Sequence, residues 1–389
     1  MSPPTTTQPT YSLWQLMWYF LRLGTLGFGG PVALVGYMHR DLVEQRGWIS
    51  EADYKEGLAL SQIAPGPLAA QLGIYLGHVH YRLIGATVAG LAFVLPSFLM
   101  VVLLGWAYVS YGGLAWMQAV FYSVGASVIG IMAISAHKLA TKNIGKDKLL
   151  WAIFGLLAAV TIITQSEIAW LFLGAGILVW LVRLKPKFSS TAMGLLPLQL
   201  PMQAMAGADG NLLLQITIFF AKAGAFVFGS GLAVVPFLYA GVVTDYHWLN
   251  DQQFVDAVAV AMITPGPVVI TTGFIGYLVA GLPGAILAAG ATFVPCYLIT
   301  VTAAPHFKKY GKRPALLAFV DGITAAAVGA IAGSVVVLGT RSITDIPTAV
   351  LAIGTAAALW KFKKIPEPII VAVAALIGLV IFPLTRTHL

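Results

Sequence analysis

The chain has 389 residues, 59% of them hydrophobic and only 9% charged, with a mean hydropathy of +0.88 and a formal net charge of +8. Soluble domains carry about 25% charged residues, so this composition excludes a soluble fold and places the chain in a bilayer. A bilayer admits only helix bundles and closed barrels. Runs such as "LLWAIFGLLAAVTII" lack the period-2 alternation of a barrel strand, so the chain is an all-α integral membrane protein. Its basic residues fall in short loops, where they set orientation, and form no aromatic-interleaved stripe for nucleic acid. Cys296 is the only cysteine, which excludes internal disulfides and multi-cysteine metal sites. His78 and His80 read as interfacial residues at a segment end. No cofactor is expected.

In chain order, "MSPPTTTQPT" has no basic residue before the first apolar run, which argues against a cleaved signal peptide. The run at 12–38 contains "LRLGTLGFGGP", whose glycines permit positive φ and close backbone approach. Arg22 lies about eleven residues into it, at a depth where a lipid-facing charge costs from about 2.5 to more than 10 kcal/mol. The run at 55–80 contains Pro65-Gly66-Pro67, through which no helix can pass unbroken. Further apolar runs follow at 83–105, 114–136, 149–164 and 167–184, then a polar-leaning linker at 185–211.

The second half repeats the first. At a shift of 200, Phe20 pairs with Phe220, Arg22 with Lys222, Trp48 with Trp248, Glu56 with Asp256, and Pro65-Gly66-Pro67 with Pro265-Gly266-Pro267. The repeats are 1–184 and 212–389. Their loop charges are opposed. Arg40, Arg46 and Lys55 follow the first run, while the matching "GVVTDYHWLNDQQ" has no Lys or Arg; "HFKKYGKR" is basic, and its partner "GWAYVSYGG" is not. The positive-inside rule then makes the repeats cross in opposite senses. Inversion needs an odd number of crossings per repeat unless the linker crosses too, so with a linker that stays on one side the 55–80 run is expected to be a re-entrant hairpin. That count has ten transmembrane helices plus two hairpins broken at Pro-Gly-Pro, with a cytoplasmic linker; the alternative has 12–13 spans.

Non-helical backbone at membrane depth must be buried or line a wet cavity, and half-helix N-termini favour an anion. The expected anion site comprises Arg22, Gly29, Gly30, Gln62, Pro65, Gly66 and Pro67, with Lys222, Gly229, Ser230, Thr264, Pro265, Gly266 and Pro267 from the second copy. Gln71, Thr271 and Thr272 flank the turns. Glu56 and Asp256, at equivalent positions, are candidates for proton exchange or simple interfacial acids. Trp48 and Trp248 read as interfacial anchors, and Cys296, aligned with Ser97, as packing.

Through "FLRLGTLGFGGPVA", "RGWISEADYKEGLALSQIAPGP", "GATVAGLAFVLPS" and their degenerate second copies, the chain resembles the chromate ion transporter superfamily, long-chain ChrA type. The likeness covers nearly everything but the linker and tail. It implies a duplicated carrier of the bacterial inner membrane that exports chromate, with proton exchange and sulfate competition. The family's basic and Pro-Gly positions carry over onto Arg22, Gly29, Gly30 and Pro65–Pro67. In the second copy "FGGP" has become "FGSG". Chromate and sulfate are both tetrahedral dianions, and these residues do not separate them. The partners expected are that anion, protons and the lipid bilayer, with no nucleic acid; a homodimer stays open. An anion channel and a membrane enzyme acting on a lipid phosphate are the other readings, the latter lacking clustered nucleophile and base.

Overall fold

The computed structural model describes residues 10–28, 30–111, 115–164, 169–184, 212–226, 234–310, 313–362, 365 and 367–386. Its regular elements are helices. α1 (Leu13–Leu26) opens with a capping box, the Ser12 side chain accepting from the Gln15 N–H and the Gln15 side chain from that of Ser12. It stops at Gly27. α2 (Gly30–Met38) continues into a π-helical stretch, His39–Gln45. The run at 12–38, which reads as one crossing, is therefore two helices, and they fold back on each other. Tyr11, just before α1, stacks on Trp48, just beyond α2, with ring centroids 4.8 Å apart.

α3 (Glu51–Ile63) starts at the Ser50 cap and ends at the first proline of the Pro-Gly-Pro turn. α4 (Leu68–Tyr111) is interrupted at Arg82, whose φ is 53°. Its first limb, 68–81, returns to the end of the bundle where α3 began: the Tyr81 hydroxyl donates to the Tyr11 carbonyl, and the Tyr11 hydroxyl bonds His80 Nδ1 at 2.9 Å. Each limb of this hairpin is ~20 Å long, short of the ~30 Å hydrocarbon core. The second limb, 83–111, is ~40 Å long, long enough to cross. α5 (Ala115–Ile144), α6 (Lys148–Thr164) and α7 (Ala169–Leu184) follow.

The second half rebuilds this plan. α8 (Leu212–Phe226) is followed by α9 (Val235–Tyr239) with its own π-helical continuation, Ala240–Asp245. α10 (Asp251–Ile263) and α11 (Thr271–Tyr310) flank the second Pro-Gly-Pro turn, and α11 breaks at Ala280-Gly281. α12 (Pro314–Ser342), α13 (Ile346–Lys361) and α14 (Glu367–Arg386) complete it. Among the described residues, four helices are long and apolar enough to cross a membrane alone: α4, α5, α11 and α12.

The long limbs of α4 and α11 run antiparallel. Thr87, near the start of one, hydrogen-bonds Tyr297, at the middle of the other, at 2.7 Å, while Gly105, near the end of the first, sits against the Tyr277 ring just before the α11 break. The closing helices change sides: α6 and α7 pack on α12, and α13 and α14 pack on α5. Glycine makes this possible, since a Cβ on Gly322 would lie 2.4 Å from the Ala175 carbonyl oxygen and one on Gly130 at 2.4 Å from that of Ala352. Each repeat is thus completed by helices of the other. The linker 185–211 lies outside the described residues, and the helix ends that flank it sit at opposite ends of the bundle. α7 ends where Arg183 pairs with Asp147 at 2.7 Å and Asp321 at 2.5 Å; the Trp248 end, where α8 begins, holds the Arg341–Asp251 ion pair.

Candidate anion site

Both Pro-Gly-Pro glycines have a left-handed backbone, φ 141° at Gly66 and 97° at Gly266, which a Cβ would strain. Each turn lies against the midpoint of the other repeat's long helix. A Cβ on Gly66 would be 2.9 Å from Cys296 Sγ, and one on Gly266 2.0 Å from Ser97 Oγ. Cys296 and Ser97, matched in the alignment, therefore face opposing turns. The Gly266 N–H also donates to the Gly27 carbonyl at 3.0 Å, joining the second repeat's turn to the glycine break after α1. Several helix breaks thus converge at mid-height.

Pro67, Pro265 and Pro267 are buried there and Pro65 is half-buried. The first N–H groups of α4 face this junction, because a half-helix that starts at Leu68 has no earlier turn to accept them. Gln71 is fully buried; its Nε2 donates to the Pro65 carbonyl at 2.7 Å, while its Oε1 has no partner among the described residues. Thr264 spends its hydroxyl proton on the Val260 carbonyl at 2.6 Å, and Thr271 and Thr272 likewise bond within the turn. Gln62 is exposed, and Gly30 opens α2. Gly29, Gly229 and Ser230 lie outside the described residues.

The two expected cations are placed differently. Arg22 lines a polar cleft of about 340 Å³ between α1 and α2, with Tyr19, Tyr37, Arg40, Asp41 and Arg46. Arg40 pairs with Asp41 at 2.8 Å, and the Arg46 guanidinium lies 4.6 Å from the Trp48 ring centroid and 5.3 Å from that of Tyr19. Lys222 is half-buried on α8 and is not part of this cleft; among the described residues neither it nor Arg22 has a hydrogen bond or ion pair. Arg40 and Arg46 read from sequence only as loop charges. The signal that distinguishes them is their replacement by Ala240 and Tyr246 in the second copy.

The acids also differ. Glu56 hydrogen-bonds Tyr75 within its own repeat. Asp256 is 2% exposed and accepts from Tyr108 and Gln252, both at 2.8 Å, with no cation beside it among the described residues. Tyr108 comes from α4, so this carboxylate ties the repeats together. The Tyr108 contact has no counterpart signal in the alignment. Among the described residues no cluster of three or more His, Cys, Asp or Glu could hold a metal.

The chromate transporter family model matches the chain twice, over residues 14–180 and 214–379. A chromate transport protein of Cupriavidus metallidurans is 70% identical, with 98% of each chain covered. A probable chromate transport protein of Synechococcus elongatus is 62% identical over 96% of each. A chromate transport protein of Pseudomonas aeruginosa is 30% identical over 98% of this chain and 94% of its own. No solved structure matches significantly. With the family's model covering both halves and relatives matched nearly end to end, the chain belongs to the chromate transporter family.

Proposed function

We propose that the protein is a secondary active transporter that exports chromate, and divalent oxyanions of its shape, across the bacterial inner membrane. The observation that carries this reading is the seating of each Pro-Gly-Pro turn at the midpoint of the other repeat's long helix, the two helices running antiparallel. Broken helices at mid-height put free N–H groups and a partial positive charge where an anion can shed water. The site comprises Pro65, Gly66, Pro67, Pro265, Gly266 and Pro267, with Arg22 and Lys222 as cations on either side. Gln62 and Thr264 form a polar flank, and Gln71 braces the first turn by donating to the Pro65 carbonyl.

The repeats, 1–184 and 212–389, are inverted, which agrees with the antiparallel long limbs and the reversed loop charges. We count two hairpins per repeat, α1–α2 with α3–α4 and their copies, because α1 and α2 return to one end. The described residues then cross eight times, in place of ten crossings with two hairpins. The end bearing Arg40, Arg46, Lys55, Lys142 and Lys148 is cytoplasmic.

No nucleotide-binding loop stands in the sequence, so an ion gradient or the potential supplies the energy. An inside-negative potential favours dianion exit by about 2.3 kcal/mol per charge per 100 mV. Asp256 is the proton-coupling group of choice, being buried with only neutral donors, and Glu56 the second. Uptake of labelled chromate and sulfate into everted vesicles, with and without a pH gradient, tests the whole reading. Saturable chromate uptake that responds to the gradient is expected; absence of uptake refutes transport, and unsaturable flux points to a channel.

A further inference from the structure

The cleft between α1 and α2 borders the Pro-Gly-Pro junction only at Gly27, whose carbonyl accepts from the Gly266 N–H, and opens toward the end of the bundle where Tyr11, Trp48 and Tyr81 cluster. Three guanidinium groups and one carboxylate line it, a formal surplus of two positive charges (three from Arg22, Arg40 and Arg46, less one from Asp41). Asp41 offsets only Arg40. Arg46 is held in place by aromatic rings rather than by an acid, which fixes a cation without neutralising it. Tyr19 lines the same cleft, is 5% exposed, and its hydroxyl is buried with no hydrogen-bond partner among the described residues. A buried hydroxyl is rarely left unpaired, and an oxyanion would accept from it.

The second repeat has dismantled the same feature. Tyr19, Tyr37, Arg40, Asp41, Gln45 and Arg46 align with Phe219, Phe237, Ala240, Gly241, Asp245 and Tyr246. Phe219 stacks on Phe237 at 5.3 Å, Tyr246 on Trp248 at 4.5 Å, and Gly241 packs under the Phe219 ring. Rings occupy the place of charges.

We propose that Arg40, Arg46 and Tyr19 form a capture site for a tetrahedral dianion at one face only, the cytoplasmic one, from which Arg22 passes the anion to the junction beside Gly27. Fixed cations raise the local concentration of an opposite charge and its arrival rate, so this face takes up substrate at low concentration and the other releases it. The inference rests on the transport reading above and gives it a direction. A phosphate headgroup of an anionic lipid has the same chemistry, and the test separates the two sources.

The experiment compares wild type with Arg40→Gln/Arg46→Gln and with Tyr19→Phe in everted and right-side-out vesicles, and in proteoliposomes of phosphatidylcholine alone or with phosphatidylglycerol. The half-saturating chromate concentration at the cytoplasmic face should rise about tenfold in the double variant and severalfold in Tyr19→Phe. The rise at the outer face should be much smaller, and the cytoplasmic effect should persist in phosphatidylcholine alone. Equal rises at both faces, no rise, or a rise seen only with phosphatidylglycerol would overturn the capture site. Wild-type vesicles that move no chromate would instead refute transport itself.

Discussion

The two repeats agree in scaffold and disagree in charge. Gly24 and Gly224 occupy the same place, each pressed on a long helix so that a Cβ would lie 2.2 Å from the Phe93 carbonyl oxygen and 2.0 Å from that of Thr292. Both Pro-Gly-Pro turns meet the opposing helix at its centre. Yet Arg40 and Arg46 give way to Ala240 and Tyr246, and the second repeat buries its acid, Asp256, far more deeply than the first buries Glu56. Backbone packing is a demand that both halves must satisfy, so it is duplicated. Charge is tied to a face of the membrane, and the loop charges of the two halves are opposed.

Matched substitutions can break or sharpen that contrast. The largest effect is expected where the halves are equivalent. Gly24→Ala and Gly224→Ala drive a methyl into a carbonyl group with no flexible neighbour to yield, and each should cost about 1–3 kcal/mol or more, read as a lower melting temperature in detergent. If only one of the pair is damaged, the scaffold symmetry fails. Next comes the cation pair. Arg22→Ala, at the foot of the polar cleft, should reduce chromate transport about a hundredfold, the scale of a lost charge-assisted contact. Lys222→Ala should cost about tenfold, with both variants still folded; equal losses would erase the difference between cleft and aromatic plug.

Smaller again is the acid pair. Asp256→Asn should flatten the response of uptake to a pH gradient while chromate still binds, whereas Glu56→Gln should leave most of that response. An unchanged response in Asp256→Asn removes this carboxylate from the coupling. The smallest effect lies outside the membrane, in the loop after α5. A hydrogen bond from Arg183 holds the Asp147 carboxyl below its ordinary range. A lowered folded value means the stabilisation is present above the unfolded value of about 3.9 and fades as pH falls through the folded one. Asp147→Asn should therefore lower the melting temperature at neutral pH, with the difference from wild type shrinking as the pH falls below about 3.9. Because the pair is a third exposed, the difference should stay within about 1 kcal/mol.

Much of the architecture is written in residue order. Apolar runs too long and too poor in charge for water dictate a helical membrane protein. Proline and glycine fix where helices break, since a missing N–H or a positive φ acts locally, as at Pro65–Pro67 and Gly266. Repetition of Trp, Gly-Pro and charge at one spacing exposes the duplication. Tertiary structure decided the rest. Only the fold shows that α1 and α2 return to one end, because a short glycine break inside an apolar run reads the same whether the chain continues or reverses. Only the fold gives α6 and α7 to α12, and α13 and α14 to α5, because close glycine packing has no partner label in sequence. And only the fold turns Arg40 and Arg46 from loop charges into the wall of a cleft with Arg22 and Tyr19. The distance between charges in space depends on how helices reverse, and composition carries no record of that.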